Sequence, residues 1–202
     1  MATPPEDVVQ QQFSLSSQRF IMLGLDDDEL MKLAGEGDRE AFAGLVERHL
    51  DRCVTIARRS LGGAQSEAED VAQDAMMRLW RHAPRWESGR ARVSTWLYRV
   101  VVNLCIDHAR KNKRYGGEVP EDTVDEAPSA FDGLAAKGVS DAVQDAIQEL
   151  PERQKTALVL CFYEGMSNAE AASVMELTVG AVEQLLVRAR RSLRVSLAGL
   201  RE

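Results

Sequence analysis

Residues 68–114 read AEDVAQDAMMRLWRHAPRWESGRARVSTWLYRVVVNLCIDHARKNKR. The first part of this stretch predicts an amphipathic helix from about Glu67 to His82. Val71, Ala75 and Leu79 recur at helical spacing, with Ala72 and Met76 beside them, and together they form a stripe fit for burial. The other side carries Glu69, Asp70, Gln73, Asp74, Met77 and Arg81. Pro84 ends the helix, because its ring lacks an N–H and clashes with the preceding turn. A second helix is predicted to open at Ser94 or Thr95, either of which can cap it. At 3.6 residues per turn, Leu97, Val101, Leu104, Cys105 and His108 share a core face. Trp96, Arg99, Asn103, Asp107 and Arg110 share another. From Arg78 to Arg114 there are ten Lys or Arg and two acids, Glu87 and Asp107. A cationic run with an aromatic ring inside it is a nucleic-acid footprint. An ordinary solvated face with a Trp lying on it leaves that charge unexplained.

Outward from this stretch, the composition is that of a globular chain in which Ala, Leu, Glu and Arg dominate, and an all-helical protein is expected. At 202 residues, one large domain or two small ones can form. No apolar run is long enough to span a membrane, and the polar, acidic start MATPPEDVVQQQ does not read as a signal peptide. Cys53, Cys105 and Cys161 are odd in number and far apart, which suits buried thiols in a reducing cytoplasm. The three His residues stand at no ligand spacing to them, so no metal site is expected. No nucleophile or phosphate-loop constellation is present either, and the chain is not expected to be an enzyme or to need a cofactor.

The net charge of −7 hides a segregated pattern. Residues 1–67 carry −5, 68–114 carry +5, 115–152 carry −9 and 153–202 carry +2. Two positive blocks thus flank a strongly negative connector, and this asymmetry says more about partners than the total does.

In chain order, residues 1–25 show no sustained period and are expected to be a tail, with a short helix near Phe20 to Leu23 at most. Asp26–Asp28 are placed to cap a helix from about Glu29, where acids suit the positive end. Gly35 and Gly37 break it. Asp38 caps the next helix, Arg39 to about Leu61, which Gly62-Gly63 stops. His49 and Cys53 fall on its core face. With the helices from Glu67 and from Thr95, these make a four-helix unit over residues 26–114. Residues 115–138 are acidic and rich in Pro and Gly, and are expected to be a flexible linker. It is either an inert tether or an acidic strand that occupies a positively charged groove as a nucleic-acid mimic.

A second helical unit is expected over residues 139–202. A helix from Ser140 to Leu150 turns Val143, Ile147 and Leu150 inward, and Pro151 suits the first position of the next. That helix carries Ala157, Leu158, Leu160, Cys161 and Phe162, and Gly165 ends it. Ser167-Asn-Ala-Glu170 is a capping box. It opens a short helix with Ala171, Ala172 and Val174 inward. A tight turn follows at Glu176-Leu177. Thr178 caps a last helix with Val182, Leu186, Ala189 and Leu193 as its buried stripe. A short helix, a tight turn and a longer helix ending in Arg188, Arg190, Arg191 and Arg194 form the helix-turn-helix pattern. The plain alternative is a helical hairpin in a bundle.

Both halves, in this order, resemble bacterial sigma factors of the extracytoplasmic-function type, which keep sigma domains 2 and 4 joined by a linker. The resemblance spans about residues 26–202. It is carried by Gly37-Asp38 with Ala41-Phe42, by AEDVAQDA from Ala68, by TWLYRVVVN from Thr95, by Leu150-Pro-Glu152, by Gly165-Met-Ser167 and by Arg188-Ala-Arg190. It implies that Asp70, Gln73 and Asp74, with Met77 on the same exposed face, bind the β′ clamp helices of core RNA polymerase. A basic partner surface suits such a face. It implies that the loop Glu87–Ser94 and the helix from Thr95 melt and read the −10 promoter element. Trp96 would then stack at the edge of the opened duplex. Asn103 and Asp107 would bond a flipped base, and Arg90, Arg92, Arg99, Arg110, Lys111, Lys113 and Arg114 would hold phosphates. The last helix would enter the major groove at the −35 element, which involves Ser167, Thr178, Ala181, Glu183, Gln184, Arg188, Arg190 and Arg191.

In that helix Ala181-Val182-Glu183-Gln184-Leu185 stands where the family has T-V-(K/R)-S-R, so an acid replaces a cation. Either the recognised sequence differs or the helix serves a protein partner. Position 107 is Asp where an amide is also common in the family. By resemblance the chain binds core polymerase through β′ clamp and β flap, reads promoter DNA, is held inactive by an anti-sigma factor, and is cytoplasmic, monomeric when free and not inserted in a membrane. The competing reading is a sigma mimic that sequesters an anti-sigma factor without reading DNA. A dimeric helix-turn-helix repressor does not account for the first unit.

Overall fold

The structure is a computed structural model that describes residues 24–115 and 142–198, with side chains to residue 111 in the first span. The described residues form helices, and no strand occurs among them. Helix α1 (Asp27–Gly35) is capped by Asp26, whose carboxylate accepts from the Glu29 N–H while the Glu29 side chain accepts from the Asp26 N–H. Glu29 is therefore the third helical residue and not the start. The three acids of the first turn face the positive helix end. Helix α2 (Arg39–Ser60) is capped by Asp38, which accepts from the N–H groups of Glu40 and Ala41. Gly62 and Gly63 after it have φ of +83° and +98°, a region Gly enters without steric cost. Helix α3 (Gln65–His82) starts two residues before the expected position and has no side-chain cap. A 3₁₀ turn, Ala83–Arg85, with Pro84 inside it, follows.

Helix α4 (Val93–Tyr115) also begins earlier than expected. The Trp96 N–H already bonds the Arg92 carbonyl, so Ser94 and Thr95 lie inside the first turn instead of capping it. Leu45, Cys53, Ile56, Ala72, Ala75, Leu79, Leu97 and Val101 are fully buried where α1 to α4 meet. His49 is buried as expected, and its Nε2 lies 2.7 Å from Asp27 Oδ2.

The second unit holds α5 (142–148), α6 (Glu152–Leu158), α7 (Asn168–Met175) and α8 (Val179–Ser196). Pro151 has ψ of 137° and stands just outside α6 as its cap, one position before the expected one. Beyond Leu158 the chain continues as a π-helical turn, Val159–Tyr163. This wider turn changes the angular phase of the side chains after it. Leu160 stays buried, Cys161 is half-buried and Phe162 is 60% exposed. Gly165 closes the segment at φ +64°. Ser167 and Glu170 form the expected capping box of α7. Glu176 turns the chain in the left-handed region at φ 53°, and Thr178 caps α8 by accepting from the Ala181 N–H. Val182, Leu186 and Ala189 are buried, and Leu193 is half-buried in the small cluster of Ile147, Leu150, Leu158 and Ala189.

The two units pack on each other. Helix α7 lies along α4, and the π turn meets α2. Ala157, Leu160, Ala171, Ala172, Val174, Val182 and Leu186 join the same buried cluster as the core of the first unit. The expected helix near Phe20 to Leu23 and most of the expected linker lie outside the described residues.

Candidate nucleic-acid interface and polymerase face

Helix α4 presents the residues singled out above on one side. Asn103, Asp107, Arg110 and Lys111 are exposed. Trp96 is half-buried, with its ring stacked on His82 at 4.7 Å between centroids and 5° between planes. The stack fixes the indole at the mouth of the loop between α3 and α4. Arg90 and Arg92 are exposed on that loop. Arg90 pairs at 3.0 Å with Glu87 and Arg110 at 3.7 Å with Asp107, contacts too exposed to hold these cations against a phosphate. Asp28 anchors the loop: Trp86 Nε1 donates to its Oδ1 at 2.8 Å and the Gly89 N–H to its Oδ2 at 3.2 Å. The sequence suggests Asp28 only as a helix-end acid. The one cue to its second task was Trp86, whose buried N–H needs an acceptor. Arg99 differs from its neighbours, because its guanidinium is held by the second unit. The side chains of Lys113 and Arg114 lie outside the described residues.

On α3, Asp70, Gln73 and Met77 are exposed and Asp74 half-buried, all on the side away from the core. Arg78 pairs with Asp74 at 3.0 Å. Beside them is an open apolar hollow of about 520 Å³ walled by Phe42, Met76, Met77 and Trp80, with Arg39 and Arg81 at its edge. The Phe42 and Trp80 rings meet edge-on at 5.0 Å. Phe42 enters the sequence reading only within its helix's apolar stripe and the resemblance, and Trp80 escapes it because it falls at the margin of its own stripe.

On α8, Glu183, Gln184, Arg188 and Arg191 are exposed, Ala181 is half-buried, and Ser167 and Thr178 are spent on caps. Arg190 does not join them. Its guanidinium lies 5.3 Å from the centre of the Phe162 ring, at the rim of a second apolar groove of about 750 Å³ lined by Ile147, Leu158, Phe162, Tyr163, Leu193 and Leu197. Glu183 lies 3.5 Å from Asn168 Nδ2, a contact at the limit of hydrogen bonding.

Burial pushes the Cys53 and Cys105 thiols up to about 12, and raises Cys161 by the same cause. Cys53 and Cys105 are neutral core groups and not nucleophiles. Glu170 is held below the usual carboxylate range by the Ser167 N–H first and the Ser167 hydroxyl second. No cluster of His, Cys, Asp and Glu fit for a metal occurs among the described residues.

Residues 45–115 match the family model for sigma-70 region 2, and residues 140–193 that for sigma-70 region 4. SigW of Bacillus subtilis, an ECF RNA polymerase sigma factor, is 32% identical over 84% of this chain and 96% of its own length. The chain belongs to the extracytoplasmic-function sigma factors. SigM of Mycobacterium tuberculosis, of the same family, is 34% identical over 83% of this chain and 82% of its own. Among solved structures, CnrH in complex with the cytosolic domain of CnrY has a TM-score of 0.62 at 28% identity, covering 86% of this chain and 97% of that one. RpoE of Bartonella quintana, in complex with the anti-sigma factor NepR, has the same fold, with a TM-score of 0.61 at 24% identity over 78% of this chain and 96% of that one. As a sigma factor the protein joins core RNA polymerase and directs it to promoters. Among the described residues no helix is long and apolar enough to cross a membrane.

Proposed function

We propose that the three exposed faces divide the work of a sigma factor. Asp70, Gln73, Asp74 and Met77 on α3, with the hollow of Phe42 and Trp80 beside them, dock the β′ clamp of core polymerase. The loop bearing Arg90 and Arg92 and the outer face of α4 open and read the −10 element. Gln184, Arg188 and Arg191 of α8 read the −35 element, with Glu183 shifting the base preference toward a cytosine amine, which an acid can accept from. The groove of Phe162 and Leu193 seats the β flap. The observation that carries this reading is the projection of the Trp96 ring, Asn103, Asp107 and Arg110 from one side of a helix. An unstacked base finds a π-face, hydrogen-bond partners and a cation there within a few turns. Each stacked base contributes about 1–3 kcal/mol, enough to offset local melting without ATP.

The protein works in the cytoplasm as a DNA-reading subunit and not as an enzyme. An anti-sigma factor holds it inactive, a reading supported by CnrH having been captured with a cytosolic domain of another protein. The units correspond to residues 26–114 and 139–202, with a linker between. Run-off transcription with purified core polymerase on genomic fragments tests the whole. Promoter-dependent transcripts that disappear with Trp96→Ala or Asn103→Ala are the expected result. Tight anti-sigma binding with no affinity for core polymerase would replace this reading with the sigma-mimic one.

A further inference from the structure

The loop from Pro84 to Arg92 has little of its own to hold it. Its sequence, PRWESGRAR, offers one large apolar side chain, Trp86. The ends are fixed, because Ala83 and Val93 are buried. Between them Glu87, Ser88, Gly89 and Arg90 are exposed. A loop with so few buried contacts moves unless something outside it ties its backbone down. Helix α1 supplies a tie. Asp28, Met31 and Gly35 recur at spacings of three and four and so share one side of that helix. Met31 is fully buried. Gly35 lies so close to the 3₁₀ turn that a Cβ there would meet the Ala83 carbonyl oxygen at 2.7 Å. Two turns earlier on the same side, the Asp28 carboxylate divides its oxygens between two donors of the loop. Its Oδ1 accepts from the Trp86 indole N–H at 2.8 Å and its Oδ2 from the Gly89 backbone N–H at 3.2 Å.

Each bond has its own effect. Gly89 has φ of +80°, a region that side chains with a Cβ rarely enter, so the backbone bends at the point where its N–H reaches α1. A carboxylate bonds such donors more strongly than a neutral acceptor does. Trp86 carries the restraint further. Its ring meets His82 edge-on at 6.0 Å between centroids, and His82 stacks on Trp96 at 4.7 Å. Contact therefore runs from α1 through Trp86 and His82 to the ring proposed to stack on DNA. Asp28 is itself a half-buried acid, unsuited to touching phosphate. We infer that Asp28 is a positioning residue for −10 reading: it holds the Trp86–Gly89 turn, and with it Arg90, Arg92 and the Trp96 ring, in the geometry that tells one promoter base from another.

Discrimination between bases needs fixed partners. A loop free to follow any base forms comparable bonds to right and wrong ones, so selectivity falls further than affinity when it slackens. A cation on a long side chain needs no such geometry to hold a phosphate, and phosphate contacts carry no sequence information. Arg90 and Arg92 can therefore grip the backbone from a slack loop. Loss of Asp28 should cost base preference and spare the sequence-independent grip. The exposed face of α3 should be spared too, because Asp28 contacts the loop beyond that helix. The part in selectivity rests on the −10 reading above; the anchoring of the loop does not.

The test uses holoenzyme assembled from purified core polymerase and the full-length chain. Promoter DNA with randomised −10 positions is selected on it, and sequencing of the bound fraction gives the preference at each base. Asp28→Ala is compared with Glu36→Ala, which removes the same charge at an exposed position. Asp28→Ala is expected to flatten the preference at one or more −10 positions by about tenfold, the size of one base contact. Its affinity for core polymerase and the total DNA it binds should stay within about twofold of the Glu36→Ala control, since the added charge is the same. Trp86→Phe keeps a ring and removes the N–H, and should flatten the preference less. Adding it to Asp28→Ala should cost nothing further, because both act through one contact. Trp86→Phe leaves the first turn of α1 untouched, so it carries the test where Asp28→Ala lowers the melting temperature. Wild-type preference in Asp28→Ala and Trp86→Phe, with preference lost in Arg90→Ala or Trp96→Ala, would overturn the positioning role and leave the −10 reading standing. Wild-type preference in all four would overturn both. Loss of core polymerase affinity in step with preference would mark a general loosening of the unit and would overturn the positioning role as well.

Discussion

Trp96 and Asn103 sit seven residues apart on α4 and differ in how firmly they are held. Asn103 is exposed, and its removal should leave the fold intact. Asn103→Ala is expected to lower open-complex formation about tenfold or more, with an unchanged melting temperature, measured by permanganate footprinting and circular dichroism. Trp96 is stacked on His82, so Trp96→Ala is expected to lower both the proposed DNA contact and some local order of the loop. Cysteine chemistry gives a second residue-level expectation. A thiol raised to about 12 is almost wholly protonated near pH 8, and the thiolate is the reactive form. Iodoacetamide near pH 8 should therefore label half-buried Cys161 first, and Cys53 and Cys105 only on unfolding. Mass spectrometry of the digested protein checks the order. The period of α4 made its outer face legible, because 3.6 residues per turn places 96, 99, 103, 107 and 110 together whatever the neighbours do. It could not disclose that Arg99 is engaged by the second unit, since its partners lie more than seventy positions away.

Caps and breaks set the elements. Asp38→Ala removes two accepted N–H bonds at the start of α2 and should cost about 1 kcal/mol in denaturant unfolding. Ile56→Ala, at a fully buried position on the same helix, should cost about 2–5 kcal/mol. The capping box of α7 gives a pH dependence. Glu170 has a folded pKa below its ordinary 4.5, so its contribution is present in full above that value and is lost as pH falls through the lower, folded value. Acid titration followed by amide exchange at the start of α7 should show loosening there, and Glu170→Gln should abolish its pH dependence. Asp26, Asp38, Ser167 and Thr178 were readable as caps because a short side chain before an apolar run has one stable use. The outward turn of Phe162 was not readable. A π turn adds a residue without altering composition, and only the packing of Leu158 and Leu160 against their neighbours reveals the change of phase.

At the scale of the molecule, charge is segregated, and the proposed tasks follow the same division. Asp70→Ala with Asp74→Ala should weaken binding to core polymerase, measured by surface plasmon resonance. It should leave single-strand binding by the free chain undiminished, because these acids lie on α3 and not on the α4 face proposed to hold DNA. Apolar contact in the hollow of Phe42 and Trp80 should make that association only partly sensitive to salt, unlike the steeply salt-dependent grip on phosphates.

The sequence alone determined the helical class, the division into two helical units, the faces of α3 and α4 and the family. Those follow from local periodicity, caps and motifs in register, all of which act within a few turns of chain. Tertiary structure alone decided that the units share one buried cluster, that Glu164 and Glu176 reach across to Arg52, Arg59 and Arg99, and that Arg190 lies against Phe162. Such contacts depend on how rigid pieces far apart in the chain come to lie against each other, and no local pattern of residues encodes that placement.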